Sequence, residues 1–289
     1  MEILNNISPL PFYADLQQQH HRKSYAFGQI YPLMISGDSL LPFQFMVDIG
    51  SPGFGGSFSS DFNNDFSITS SNRAGLVIND VLLHFFNTSR AVSILGPMNA
   101  NGLTISNLSS GPILVKYPGE KSIADISREG LYYIEFQTSQ GPIYSDIFVS
   151  SNNLSNCIKL IYYNSYSLNM PKGLIDFSND FKFVCYLDTI IGKPEYIFEE
   201  TVSERGGYSF VESQISKKVY RFTCLAPEYL CDALRIIRLC NNKHILSDSG
   251  SYDLFSFSMM PKWEEQGDLA SVECEFETDT VIVNIGNIK

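Results

Sequence analysis

Residues 271–283, SVECEFETDTVIV, decide the fold, because their side chains alternate in character with a period of two. The alternation places uncharged residues on one face and carboxylates on the other: Val272, Cys274, Phe276, Thr278 and Ile282 against Glu273, Glu275, Glu277 and Asp279. A period of two is typical of a strand with one buried face. The stretch therefore predicts a half-buried strand with an acidic outer face.

The residues before that strand predict a second strand followed by a helix. Residues 217–225, KKVYRFTCL, favour a strand, and residues 228–240, EYLCDALRIIRLC, favour a helix that begins after Pro227. Its large apolar side chains recur every three to four residues, so the helix is expected to lie on the sheet: Leu230, Leu234 and Ile237.

A long hairpin is predicted upstream of these elements. Residues 192–202 (GKPEYIFEETV) and 208–211 (YSFV) favour two strands, and residues 204–207 (ERGG) favour the turn between them. The hairpin is rich in acid, and its charged residues are expected to face solvent or a partner rather than to catalyse a reaction. Six of its residues are the candidate assembly site: Glu199, Glu200, Glu204, Arg205, Gly206 and Gly207.

The predicted fold class is mainly β, with two domains behind an arm. Residues 1–30 are expected to form an extended arm. Residues 31–150 carry short strands and turns, which suggest a small immunoglobulin- or fibronectin-like β-sandwich, with a clear hairpin at residues 130–149. The polar stretch 150–155, SSNNLS, predicts a linker, and residues 156–289 form the second domain.

Composition narrows the classes of function. The chain has 289 residues, of which 44% are hydrophobic and 18% charged, so it can bury a core. Its formal net charge of −11 disfavours binding to nucleic acid or to an anionic membrane. No basic segment followed by an apolar core opens the sequence, so no signal peptide is expected. None of the six cysteines forms a CxxC pair, which favours reduced, buried thiols over zinc or disulfides.

Motifs for catalysis or cofactor binding are missing. The sequence has no GxSxG, HExxH, Walker or Rossmann pattern, and the glycine-rich segment 50–56, GSPGFGG, lacks the lysine of a phosphate-binding loop. The four histidines have no metal-ligand spacing. A carboxylate pair for glycoside cleavage is left open by the many acidic residues, although a solvated acidic face is favoured. We expect no enzymatic activity, no cofactor and no metal.

Several strings resemble a family of uncharacterised virion and tail-region proteins from tailed phages of Bacteroidales, including crAss-like phages. The similarity covers most of the chain and is strongest from 130 to 283; among its segments are residues 24–33 (SYAFGQIYPL), 40–45 (LLPFQF), 156–168 (NCIKLIYYNSYSL), 190–240 and 262–282. The order of strand, long hairpin, helix and closing strands is similar to the tail-tube fold shared by tube, distal-tail and hub proteins. The resemblance carries no catalytic motif and no active-site residues.

The resemblance implies a non-enzymatic structural protein of the virion tail, such as a tail-hub, distal-tail or ring protein, assembled in the host cytoplasm. Its expected partners are copies of itself in a ring and adjacent tail proteins. No membrane partner is expected, and DNA at most passes through an acidic lumen without phosphate contacts. The alternative is a receptor- or glycan-binding module of the same virion, since exposed aromatic side chains stack on sugars.

Overall fold

The computed structural model describes most of the chain, namely residues 1–4, 8–25, 31–37, 41–50, 76–87, 91–94, 103–107, 111–117, 129–171, 173–264 and 267–284. Most of the described residues lie in strands, which confirms the prediction of a mainly β fold. The glycine-rich segment predicted as a loop lies outside the described residues from 51 onward.

The described residues contain two α-helices, α1 (His20–Tyr25) and α2 (Glu228–Ile237), and a short 3₁₀ helix (Leu16–Gln18). The strands, in chain order, are β1 (Glu2–Ile3), β2 (Phe12–Tyr13), β3 (Leu33–Ser36), β4 (Phe43–Asp48), β5 (Ile78–Phe85), β6 (Ala91–Ile94), β7 (Thr104–Asn107), β8 (Ile113–Tyr117), β9 (Gly130–Thr138), β10 (Gly141–Ser145), β11 (Phe148–Ser151), β12 (Cys157–Tyr163), β13 (Leu168–Met170), β14 (Gly173–Ile175), β15 (Phe183–Asp188), β16 (Glu195–Arg205), β17 (Tyr208–Pro227), β18 (Asn242–Ser247), β19 (Gly250–Asp253), β20 (Ser256–Trp263) and β21 (Leu269–Asn284).

These strands form four sheets. The largest has eleven strands in the order β19-β18-β12-β15-β3-β11-β9-β10-β2, with β5 paired to β9 and β6 paired to β5. A second sheet has the order β1-β4-β8-β7, β13 and β14 form a separate hairpin, and the last sheet has the order β16-β17-β21-β20. The predicted hairpin at 130–149 is present as β9 and β10, which are antiparallel.

Aromatic rings fill the space between the first two sheets. Phe43 and Phe45 of β4 contact Phe136 of β9, with ring centroids 5.6 and 5.7 Å apart. Phe12 of β2 stacks on Phe45 at 4.5 Å. The two sheets thus pack face to face through tightly clustered rings, and the immunoglobulin or fibronectin type of this packing stays a prediction.

Strands from both sides of the predicted linker share one sheet. Strand β3 pairs in parallel with β11. On the other side of β3, Met34 pairs with Tyr186 of β15, a strand that follows the predicted linker. One cluster of buried apolar side chains also contains residues from both predicted domains. The division at 150–155 therefore does not separate two sheets or two cores, and independent folding of residues 31–150 and 156–289 stays a prediction.

The described part of the predicted extended arm is folded against the sheets, so that prediction is wrong there. The carboxylate of Asp146 accepts hydrogen bonds from the backbone N–H groups of His20 and His21, both at 3.2 Å, and from the Tyr13 hydroxyl at 3.2 Å. This distant carboxylate satisfies N–H groups at the start of α1 that the helix itself leaves unpaired. Leu10 and His21 are buried as a result.

Helix α2 matches its predicted start and ends earlier than residue 240. Pro227 precedes it, and Leu234 and Ile237 are almost completely buried against the sheet, as expected. Past Ile237 the backbone hydrogen bonds join residues three apart instead of four, since the N–H of Cys240 donates to the carbonyl of Ile237 at 3.1 Å. This tighter turn is a common way for a helix to end.

All six cysteines are free, and five of them are buried as expected, whereas Cys157 is only partly buried. Burial raises the pKa of the Cys185 thiol and of the Cys240 thiol to about 12, which keeps both protonated near neutral pH. No cluster of metal-ligating side chains is found in the part of the chain that the structure describes. Among the same residues, no helix has the length and apolar character needed to cross a bilayer.

Candidate functional site

The candidate site is a three-stranded extension of the last sheet, here called the ribbon. It consists of β16, residues 208–218 of β17 and residues 278–284 of β21. β16 pairs with β17 from Glu195 opposite Val219 to the tip, and β21 pairs with the other edge of β17. The ribbon continues the sheet beyond the part that packs under α2. The sequence predicted the hairpin and missed that β21 extends alongside it.

A two-residue turn ends the ribbon and fixes its register. Arg205 pairs directly with Tyr208, so Gly206 and Gly207 are the whole turn, and their φ angles are +60° and +82°. Positive φ at both central residues defines the type I′ turn, whose twist matches that of the flanking strands. A Cβ on either glycine would meet no atom within 4 Å, so the constraint is conformational rather than steric. The turn is shorter than the predicted 204–207, because Glu204 and Arg205 still pair with β17 as the last residues of β16.

The six predicted site residues lie together on the outer hairpin, and all six are exposed. Glu199 accepts a hydrogen bond from Lys217 at 3.1 Å, and this bond raises the pKa of the Lys217 ammonium. Glu200 accepts one from the side chain of Gln214 at 2.7 Å. These carboxylates therefore pair across the strands and do not form the close carboxylate pair that glycoside cleavage needs.

A bulge changes the faces of β21 relative to the prediction. Val219 pairs with Glu277, but its neighbour Lys218 pairs with Asp279, so Thr278 is an extra residue in β21. Before the bulge the predicted alternation is confirmed, because Phe276 is buried. After it the alternation is reversed. Ile282 therefore lies on the opposite face from Phe276, which corrects the predicted set.

We call the face that carries Phe276 the inner face and the opposite one the outer face. On the ribbon, the register places Phe198 and Val281 on the inner face, and Ile215 and Ile282 on the outer face. Both faces therefore carry apolar side chains, whereas an ordinary half-buried sheet carries them on one.

Large apolar side chains on the ribbon are exposed, and the sequence analysis did not single them out. Phe198 is 74% exposed, Tyr208 72%, Ile282 59% and Val281 58%. Large exposed apolar side chains grouped on one element of this kind mark interaction sites in soluble proteins. The sequence does carry a signal for this exposed apolar surface: apolar residues occur at both odd and even positions of the hairpin strands and at 281–283.

The predicted acidic outer face of β21 is neutralised where it crosses the body of the sheet. Glu273 pairs with Lys262 at 2.6 Å, and Glu275 pairs with the Nε of Arg221 at 2.8 Å. Arg221 also pairs with Glu195 of β16. These exposed ion pairs tie neighbouring strands together and leave less free negative charge than the sequence suggested.

Three histidine–carboxylate pairs lie elsewhere in the described residues: two are built into the core, and the third, His244 with Asp253, is exposed on β18 and β19. His84 Nε2 is 2.6 Å from Glu135 Oε2, with the His84 ring stacked on Tyr133, and His21 Nδ1 is 3.3 Å from Asp146 Oδ1. His21 and Asp146 are at most 1% exposed, so no substrate reaches them. Asp146 serves the folded arm described above.

Comparison of the chain with protein-family models, with curated proteins and with solved structures finds no match.

Proposed function

We propose that the chain is a non-enzymatic structural component of a phage virion tail, assembled in the host cytoplasm, whose copies form an oligomeric ring. The observation that carries the proposal is the ribbon, which projects a turn of fixed geometry and exposed apolar side chains beyond the packed core. Among the described residues, the ribbon narrows to two strands between Ser213 and its tip, and an isolated two-stranded hairpin is only marginally stable in water. A neighbouring subunit or an adjacent tail protein supplies the cover.

The chemistry of the chain supports an assembly role. Six free cysteines are typical of a protein that assembles in a reducing cytoplasm. The sequence resemblance to tail-region phage proteins supports a place in the virion tail. The exposed Glu199, Glu200 and Glu204 would set which neighbour is accepted, because charges at an interface mainly give specificity and register. The net charge of −11 lets DNA pass a lumen without phosphate contacts.

A shortened ribbon tests the proposal. Thr201 and Ser213 are paired in register, so residues 202–212 can be replaced by Asn-Gly, which restores a two-residue turn. This variant should stay folded and fail to form rings, as judged by negative-stain microscopy and mass photometry. A matched control is Asp248→Ala, in the turn between β18 and β19 away from the ribbon. Rings of unchanged size in the shortened variant would contradict the proposal.

Exposed aromatic side chains favour a second candidate, a glycan-binding module of the virion. Tyr196, Phe198, Tyr208 and Phe210 are all more than half exposed on the ribbon. Aromatic rings in such positions can stack on the apolar faces of sugars. The discriminating measurement is glycan binding by the wild-type chain and by Phe198→Ala. Binding that this substitution abolishes, in a chain that forms no rings, would favour the module.

A further inference from the structure

We propose that the outer part of β21 pairs with the same segment of a second copy of the chain, antiparallel and about a two-fold axis. β20 pairs with β21 only as far as Ser256 opposite Glu277. Among the described residues, 278–284 are paired on one side only, by β17. Their other side is a sheet edge with backbone donors and acceptors available to a further strand.

The two edges of the ribbon differ in charge. The β16 edge carries four glutamates over ten positions: Glu195, Glu199, Glu200 and Glu204. Charged side chains of this kind prevent edge strands from pairing with other chains. The β21 edge carries one charge, Asp279, followed by the uncharged sequence TVIVN at 280–284. The β21 edge is thus the unprotected one.

The sequence of this edge is self-complementary. With the two-fold axis at Ile282, each Ile282 falls opposite Ile282 of the second copy, and Val281 falls opposite Val283. The row on the outer face then runs through Ile215 and Ile282 of both copies, since Ile215 pairs with Ile282 within the chain. No carboxylate opposes another in this register. Apolar β-branched pairs directly across strands stabilise a sheet, whereas like charges there destabilise it.

Antiparallel self-pairing of β16 opposes glutamates in several registers. An axis between Glu199 and Glu200 would place these two carboxylates opposite each other twice. An axis at Glu200 would oppose that residue to itself. Both arrangements set like charges across the new interface, which is unfavourable. A dimer through β21 leaves the two glutamate-rich β16 edges at its ends.

This inference goes beyond the proposed ring and does not depend on it. The dimer uses the backbone edge of β21, whereas the ring proposal rests on the turn at Gly206 and Gly207 and on exposed side chains of the outer hairpin. The two contacts use different parts of the ribbon, so one copy can make both. A chain that dimerises without forming rings would retain the dimer proposal and lose the ring proposal.

Cysteine cross-linking tests the register. Ile282→Cys places a thiol opposite its own copy, within the separation that a disulfide spans. Thr201→Cys is the matched control, because it lies on the same face at the other edge of the ribbon. Both are made in a Cys157→Ser background, since Cys157 is the one native cysteine that is not buried. Mild oxidation should give a covalent dimer for Ile282→Cys and none for Thr201→Cys.

Sedimentation velocity of the full chain tests the energetics. Ile282→Lys opposes two cations on the two-fold axis, so self-association should weaken by about tenfold or more. Phe198→Lys, at a more exposed apolar position on β16, is the control and should leave the dimer intact. Ile282 is 59% exposed in the single chain, so the thermal midpoint should not change at protein concentrations at which both chains are monomeric. A monomeric wild-type chain, equal effects of the two lysines, or cross-linking between Thr201→Cys and Ile282→Cys chains would overturn the proposal.

Discussion

At the scale of single residues, a partly buried ion pair fixes the loop that follows β14. Lys116 Nζ lies 2.6 Å from Asp176 Oδ2 and donates to Ser178 Oγ at 2.6 Å. The side-chain amide of Gln44 donates to the carbonyl of Asp176 at 2.7 Å and accepts a hydrogen bond from its N–H at 2.9 Å. Polar groups from β4, β8 and the loop are therefore mutually satisfied, which is the condition for burying them at low cost.

The ion pair predicts a specific acid sensitivity. Burial raises the pKa of Asp176, but hydrogen bonds from Lys116 and Ser178 outweigh this and lower it to about 2 from 3.8. A folded-state pKa below the unfolded one stabilises the fold above the unfolded pKa. That stability should be lost as pH falls from about 4 to about 2. Denaturant titrations at several pH values should show this loss of unfolding free energy, between about pH 4 and about pH 2, in the wild-type chain and not in Asp176→Asn.

At the scale of elements, α2 is the clearest case of local sequence leading to packing. Seven of its ten residues are buried, and the apolar stripe faces the strands β17, β20 and β21. Glu228 lies in its first turn and Arg235 in its last, as the helix dipole favours. Its burial depends on the sheet, since a helix of this length is not stable alone in water.

Truncation of the helix stripe should be costly. Leu234 is fully buried, so Leu234→Ala is expected to lower the free energy of unfolding by about 2–5 kcal/mol. Arg235→Ala is the matched control, since its side chain is exposed, and it should change stability by about 0.5 kcal/mol or less. Urea unfolding followed by circular dichroism measures both. A loss below about 1 kcal/mol for Leu234→Ala would mean that the helix does not contribute its apolar face to the core.

At the scale of the whole molecule, the two halves of the main sheet are connected by the short pairing of β3 with β15. Among the described residues, Met34 and Tyr186 are the only opposed pair between β3 and β15, whereas the buried cluster contains side chains from both halves. Side-chain packing, more than the backbone ladder, therefore holds the halves together.

Limited proteolysis tests this description. Asn152, Asn153 and Ser155 are exposed just after β11, so a protease should cut near them, at Leu154 for thermolysin. The two fragments should then remain associated on size exclusion under native conditions, because they share a core. Separation into two folded fragments would instead support independent domains at 31–150 and 156–289. Cleavage confined to β15 would contradict the exposed segment.

The sequence by itself determined those features that depend on near neighbours in the chain. The alternation at 271–276, the apolar stripe of α2 and the paired glycines at 206–207 each constrain the backbone through local periodicity or φ preference, and all three are present. The exposure of Glu199, Glu200 and Glu204 also followed, since clustered charge is rarely buried.

Only the tertiary structure decided the features that join distant segments. The bulge at Thr278, the join of Met34 with Tyr186 and the capture of the N-terminal helix by Asp146 pair residues across long stretches of chain. Periodicity cannot encode such pairings, because strand register is settled by what each face packs against. For the same reason, the sequence does not reveal that the outer part of β21 is a sheet edge, because this depends on which distant strands pair with it.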